Sequence, residues 1–187
     1  MIKKLCTLIG GLVLIAAIAA GGYFLYTKVI KDKINPPDKV EFQIKYAYET
    51  TTGAQFDTVR YGFVKGYKGE APQTVEIASS FDDNGNFRTV TGIKSRAFEN
   101  AKNMKTVVIP SSVVYFGVRI FKGCDNLETI VLKMQQSSLF MAGFGGAFDD
   151  LDLSKITIRV SHEKVKEALL SAYKEANVVV DESLAEQ

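Results

Sequence analysis

Ile93-Lys-Ser-Arg-Ala-Phe98-Glu-Asn-Ala-Lys-Asn103-Met104-Lys-Thr106-Val107-Val-Ile109 is followed by a second version of itself, Phe116-Gly-Val-Arg-Ile-Phe121-Lys-Gly-Cys-Asp-Asn126-Leu127-Glu-Thr129-Ile130-Val-Leu132. Each aligned pair lies 23 positions apart: Phe98 falls on Phe121, Ala101 on Cys124, Asn103 on Asn126, Met104 on Leu127, Thr106 on Thr129, Val107 on Ile130 and Ile109 on Leu132. A unit this short cannot bury its own apolar face. A fixed period in the twenties with apolar residues at fixed offsets therefore predicts stacked coils sharing one interior. Such arrays need about three units and closed ends. Two clear units are too few, so the flanking segments are expected to act as caps.

Working outward on the N-terminal side, Val40 to Tyr48 alternates apolar and polar residues with a period of two, and Phe56 to Val64 does the same, with Val59, Tyr61 and Phe63 on one side. Joined by a turn at Thr50–Gln55, with Gly53 free to take positive φ, they are expected to form a β-hairpin over 40–64. Gly66-Tyr-Lys-Gly69 reads as a turn, Thr74-Val75-Glu76-Ile77 as a strand and Asp82–Asn86 as a loop. That loop spaces its oxygen ligands like a calcium site, but Phe87 and Ile93 stand where such a site needs Gly and Glu, so no metal is assigned. Ile34-Asn-Pro-Pro-Asp-Lys39 is a stiff linker.

Residues 5–26 contain no charge and are long enough to cross a bilayer as a helix. With residues 1–33 they read as a membrane anchor, N-terminus inside and domain outside. Tyr23 and Tyr26 suit an interfacial belt. The alternative is a signal peptide cleaved near Ala17-Ile-Ala19, giving a secreted protein.

On the C-terminal side, residues 133–146 fit no unit, while Ala147-Phe148 restates the Ala-Phe pair and Ile156-Thr-Ile-Arg-Val160 restates the strand. Ser161 is expected to cap a helix over 163–175 that places Val165, Leu169, Ala172 and Tyr173 on one face. Asn177 to Asp181 adds a last strand, and 182–187 is a frayed tail.

These residues resemble the BspA-like leucine-rich repeat surface proteins, whose unit runs approximately I-x-x-x-A-F-x-x-C-x-x-L-x-x-I-x-I-P-x-S-V. Ile93, Ala97-Phe98, Met104, Val107 and Ile109-Pro-Ser-Ser-Val113 match one unit, and Phe121, Cys124, Leu127, Ile130 and Leu132 the next. A degenerate first unit spans Gly66 to Ile93, and the resemblance extends over residues 64 to 181. Ala101 in place of the cysteine implies a small buried side chain at that position, Ile120 replaces the alanine before Phe121, and Ser161 stands where proline is usual. The implied fold is mainly β with some α. It is a short leucine-rich repeat solenoid over 65–181, flanked by the N-terminal hairpin and a C-terminal capping helix, behind one transmembrane helix.

Chemistry-bearing groups are sparse. His162 is the only histidine, Cys124 occupies the buried repeat position, and Asp149-Asp150-Leu-Asp152 reads as solvated turn chemistry. Gly143-Phe-Gly-Gly146 lacks the strand-to-helix setting of a phosphate loop. No catalytic residue, cofactor or metal is assigned, and the expectation is not an enzyme. Five basic residues and one acid lie in the first 33 positions, leaving 18 basic and 20 acidic residues beyond them, so no field favours nucleic acid. No small-molecule substrate is expected either. The apolar stretch 138–148 either fills the core through Leu139, Phe140, Phe144 and Phe148 or forms a loop that contacts a partner.

In each apolar-x-apolar strand the middle residue faces away from the core, which predicts an outward column of Glu76, Val108, Val131 and Thr157 with Thr106, Thr129 and Arg159 beside it. The resemblance implies surface display, with this face meeting a protein or surface glycan. The competing expectation is a structural subunit of a cell-envelope assembly with no free ligand.

Overall fold

The computed structural model describes residues 42–51, 59–141 and 143–185. The anchor and its segment 5–26, the linker, and residues 52–58, which include most of the turn expected at 50–55, lie outside the described residues. Among the described residues no helix is long and apolar enough to cross a membrane.

Among the described residues ten strands form two sheets. β1 (Gln43–Thr51), β2 (Val59–Lys68), β5 (Asn86–Ile93) and β4 (Ser80–Asp83) are neighbours in that order, and β7 (Tyr115–Phe116) also pairs with β5. The other sheet is wholly parallel, in the order β10 (Asn177–Val180), β9 (Thr157–Val160), β8 (Thr129–Leu132), β6 (Thr106–Ile109) and β3 (Thr74–Glu76). Each coil contributes one strand to the parallel sheet, crosses to the other side, and returns through a turn. Among the described residues one α-helix, α1 (Glu163–Ala172), joins β9 to β10.

The 23-residue echo is realised as vertical stacking. Val107 pairs with Ile130 and Ile109 with Leu132, all but fully buried, and on the far side Val64, Ile93 and Phe116 stand in register. The Phe98 and Phe121 rings stack with centroids 5.7 Å apart and an interplanar angle of 19°. The column continues beyond the two clear units. Tyr67 lies 6.1 Å from Phe98, Phe148 6.2 Å from Phe121, and Tyr173 5.8 Å from Phe148. Each coil turns through left-handed residues at equivalent places, Arg96 and Asn100, Arg119 and Gly123, Gly146 and Asp150, with Gly69 matching Asn100 at the N-terminal end. These bends aim amides at the next coil: Phe98 N–H donates to Ile120 O at 3.0 Å, and Ile120 N–H to Ala147 O at 2.9 Å. Backbone groups inside a stack are satisfied by the neighbour, so no coil stands alone.

Several expectations are corrected. The hairpin is not confined to 40–64, since β2 continues to Lys68 through the stretch read as a turn. Tyr67 is held extended opposite Ile44, its ring fills the first place in the aromatic column, and its hydroxyl donates to Glu99 O at 3.0 Å. The hairpin thus joins β5 to build a second sheet as well as covering an end. Asp82–Asn86 is no open loop but the tip of a β4–β5 hairpin, where Asn84 and Gly85 both take positive φ as a type I′ turn requires. The third coil admits its extra residues as a 3-10 segment, Gln136–Met141, after which Phe144 and Phe148 are buried. The side chains of Leu139 and Phe140 fall outside the described set.

The helix ends at Ala172, not 175. Tyr173 leaves helical geometry because its hydroxyl is tied to the preceding coil, donating to Phe144 O at 2.9 Å and accepting from Phe148 N–H at 3.0 Å. Ser161 does not cap the helix either. His162 holds that position without a side-chain cap, while the buried Ser161 hydroxyl donates to Met134 O. The tail is ordered at least to Leu184. Glu182–Leu184 forms a 3-10 turn capped by the Asp181 carboxylate, and Leu184 is buried.

Candidate functional site

The parallel register decides what the outer face of the sheet presents. Thr74, Thr106, Thr129, Thr157 and Asn177 occupy one level, and Glu76, Val108, Val131, Arg159 and Val179 the other. Between them run inward levels led by Val75, Val107, Ile130 and Ile158, each at most 1 % exposed. All seven residues expected to point outward lie on the outer side of the sheet, but two exchange places. Thr157 aligns with Thr129 and Arg159 with Val131. Ile156, Ile158 and Val160 are alternate apolar residues, so the strand offered two registers one step of two apart, and the sheet uses Ile158-Arg159-Val160. Thr74, Asn177 and Val179 complete the columns. The signal for them was present, since Thr74-Val75-Glu76 repeats the order of Thr106-Val107-Val108.

The face is chemically graded. Glu76 is exposed at the β3 edge, Val108 is half-buried, and Val131 is only 5 % exposed. The Arg159 guanidinium is held by the Asp181 carboxylate, whose pKa is lowered by hydrogen bonds from Ser183 and Arg159. The Asn177 amide donates to Thr157 Oγ1 at 3.3 Å, and Lys105 meets Glu128 at 2.8 Å beside the strand starts. At the strand ends, Glu76, Ser79, Ser80, Pro110, Ser111 and Lys133 border a groove of about 570 Å³. This surface offers hydroxyls, one carboxylate and a short apolar strip.

The chemistry-bearing residues have other partners. The buried Cys124 thiol donates to Phe98 O at 3.0 Å, and burial pushes its pKa up to about 11, which keeps it a thiol and a poor nucleophile. His162 Nε2 lies 3.5 Å from Gln135 Oε1. Asp150 pairs with Arg119 at 3.4 Å, and Asp152 with Lys155 at 2.6 Å. Gly146 is a coil bend whose carbonyl accepts from Arg119 N–H at 2.7 Å. Among the described residues no three His, Cys, Asp or Glu side chains gather into a metal-sized cluster.

Residues 85–177 match the family described as BspA type Leucine rich repeat region (6 copies). No curated protein matches the sequence. Among solved structures the chain is similar to a leucine-rich repeat protein from Bacteroides capillosus, at 20% identity and TM-score 0.39, over 66% of this chain and 72% of that one. It is also similar to a leucine-rich repeat protein from Bacteroides ovatus, at 19% identity and TM-score 0.43, over 74% of this chain and 37% of that one. A leucine rich cell surface protein from Faecalibacterium prausnitzii aligns at 16% identity and TM-score 0.38, over 74% of this chain and 30% of that one. The repeat unit, its stacking and the family match agree: residues 85–177 of this chain are a BspA-type leucine-rich repeat region.

Proposed function

We propose that this chain is a binding protein: residues 5–26 fix it in a membrane, the repeat domain is displayed outside, and the outer face of the parallel sheet docks a protein or surface glycan. Leucine-rich repeat domains generally act by binding proteins, and a stacked parallel sheet supplies an extended surface for it. The observation that supports this site is the register itself, which gathers seven side chains from four separate sequence segments onto one side of a rigid sheet. Partner groups would meet hydroxyls spaced by one strand, about 4.8 Å, next to the half-buried Val108.

The test compares capture from surface extracts of the source cells by the full chain and by Thr106→Arg/Val108→Lys. Lys at 108 stands in register with Glu76, so the fold has a counter-charge for it. A partner retained by the parent and lost by the variant, at unchanged melting temperature, supports the proposal. Equal retention refutes the face. Protease added to intact cells tests display: cleavage of residues 40–187 only after lysis refutes an outward domain.

A further inference from the structure

Exposed strand edges are templates for pairing, and folded proteins blunt them with charges, prolines or bulges. At three edges here such a device is present. β1 carries Lys45, Glu49 and a register shift between Lys45 and Tyr46, β4 carries Asp82 and Asp83, and β3 carries Glu76. β10 differs. It is the terminal strand of the parallel sheet, it reads Asn177-Val178-Val179-Val180 with no charge and no proline, and it pairs with β9 in unbroken register. Val179, on its outer face, is 46% exposed, one of the few large apolar residues so placed.

The direction of the free backbone groups follows from the bonds already made. Asn177 N–H donates to Leu153 O and Asp181 N–H to Val160 O, so the odd-numbered residues of this strand turn toward β9. In a parallel pair alternate residues direct their groups to opposite sides. The N–H and C=O of Val178 and Val180 therefore point out from the edge.

We infer that the β10 edge is a pairing site for a second copy of this chain, antiparallel about a two-fold axis through Val179 and normal to the sheet. That axis keeps both cores on one side, as a shared sheet demands. Val178 of one copy then stands opposite Val180 of the other as a hydrogen-bonded pair, and the symmetric pair uses the remaining free groups. The two Val179 side chains meet across the axis. Asn177 opposes Asp181 of the second copy, an amide donor against a carboxylate already neutralised by Arg159, so no like charges face each other. The strand is complementary to itself in this register. The two outer faces become one continuous surface.

The test uses the full chain in detergent micelles, in a Cys6→Ser background. In this register the Val179 pair is not hydrogen-bonded and its Cα atoms lie about 4.5 Å apart, within disulfide reach of roughly 4.4–6.8 Å. Mild oxidation of Val179→Cys should give a covalent dimer, while Asn177→Cys, whose two copies lie four positions out of register, should not. Val179→Lys should weaken the dimer, measured by sedimentation, at least about tenfold by placing two ammonium groups across the axis, with melting of the monomer unchanged. A monomeric parent, an uncross-linked Val179→Cys, or equal cross-linking of both cysteine variants overturns the inference. So does a dimer that survives Val179→Lys, which places association elsewhere, such as residues 5–26. Filaments in place of a closed dimer point to β10 meeting β3 head to tail and equally refute it.

Discussion

Phe121→Ala removes the middle ring of the column that runs through every coil. The side chain is fully buried, with Phe98 at 5.7 Å on one side and Phe148 at 6.2 Å on the other. Truncating a buried phenylalanine costs about 3–5 kcal/mol through lost transfer energy and the cavity left behind. Each aromatic pair adds about 0.5–1.5 kcal/mol beyond buried area, and because the two terms overlap, a total of roughly 4–6 kcal/mol is expected. At about 2–4 °C per kcal/mol for a protein of this size, melting should fall by roughly 10–20 °C. Thermal circular dichroism of the full chain in detergent reads this directly, and urea titration adds the slope, which should fall if the terminal coils unfold separately. The double variant Phe98→Ala/Phe121→Ala should cost less than the sum of its parts, because the two rings contact each other and share one cavity. Melting of Phe121→Ala within a degree or two of the parent, or strict additivity of that pair, would refute the stacked-coil account of stability.

The remaining predictions concern the bends and the thiol. Gly117→Ala should destabilise by about 3 kcal/mol or more, since a Cβ there would lie 2.2 Å from Ser95 N and 2.6 Å from Lys94 C, backbone atoms that cannot swing away. Gly145→Ala meets nothing within 4 Å and should melt within about a degree of the parent, which makes it the control. Cys124 should resist alkylation at pH 8 until the domain is unfolded in urea, with Cys6→Ser as background so that one thiol is counted. Because its folded pKa is raised to about 11 from 9.0, the thiol's contribution is fully present below pH 9 and is lost as pH climbs toward 11. Cys124→Ala, matching Ala101 in the coil before, should flatten that alkaline decline; an unchanged decline would assign it to other groups.

How much of this was legible depends on whether a coil needs its residues for its own shape or for its neighbour's. The 23-residue echo was visible because Phe98 and Phe121, Val107 and Ile130, and Ile109 and Leu132 must align to stack at all, and stacking allows no other spacing between adjacent regular coils. Tyr67 and Tyr173 were harder, since at the ends of the column a ring meets a partner on one side and something else on the other. There tyrosine serves better than phenylalanine, because its hydroxyl reaches Glu99 O at one end and Phe144 O at the other. The same substitution hid the continuation of β2 past Gly66, where the glycine-flanked Tyr67-Lys68 reads locally as a turn and only long-range packing keeps it extended. For the outer face, alternation alone identified which residues point outward. It could not choose between Thr157 and Arg159 as the neighbour of Val131, because an apolar residue at every second position from Ile156 to Val160 fits two registers equally. That choice is made by the chain's end. In the observed register Arg159 stands beside Val179 and reaches the carboxylate of Asp181, which in turn caps the turn that buries Leu184. The last residues of the domain thereby set the register of its outer face, a dependence that no single repeat could have disclosed.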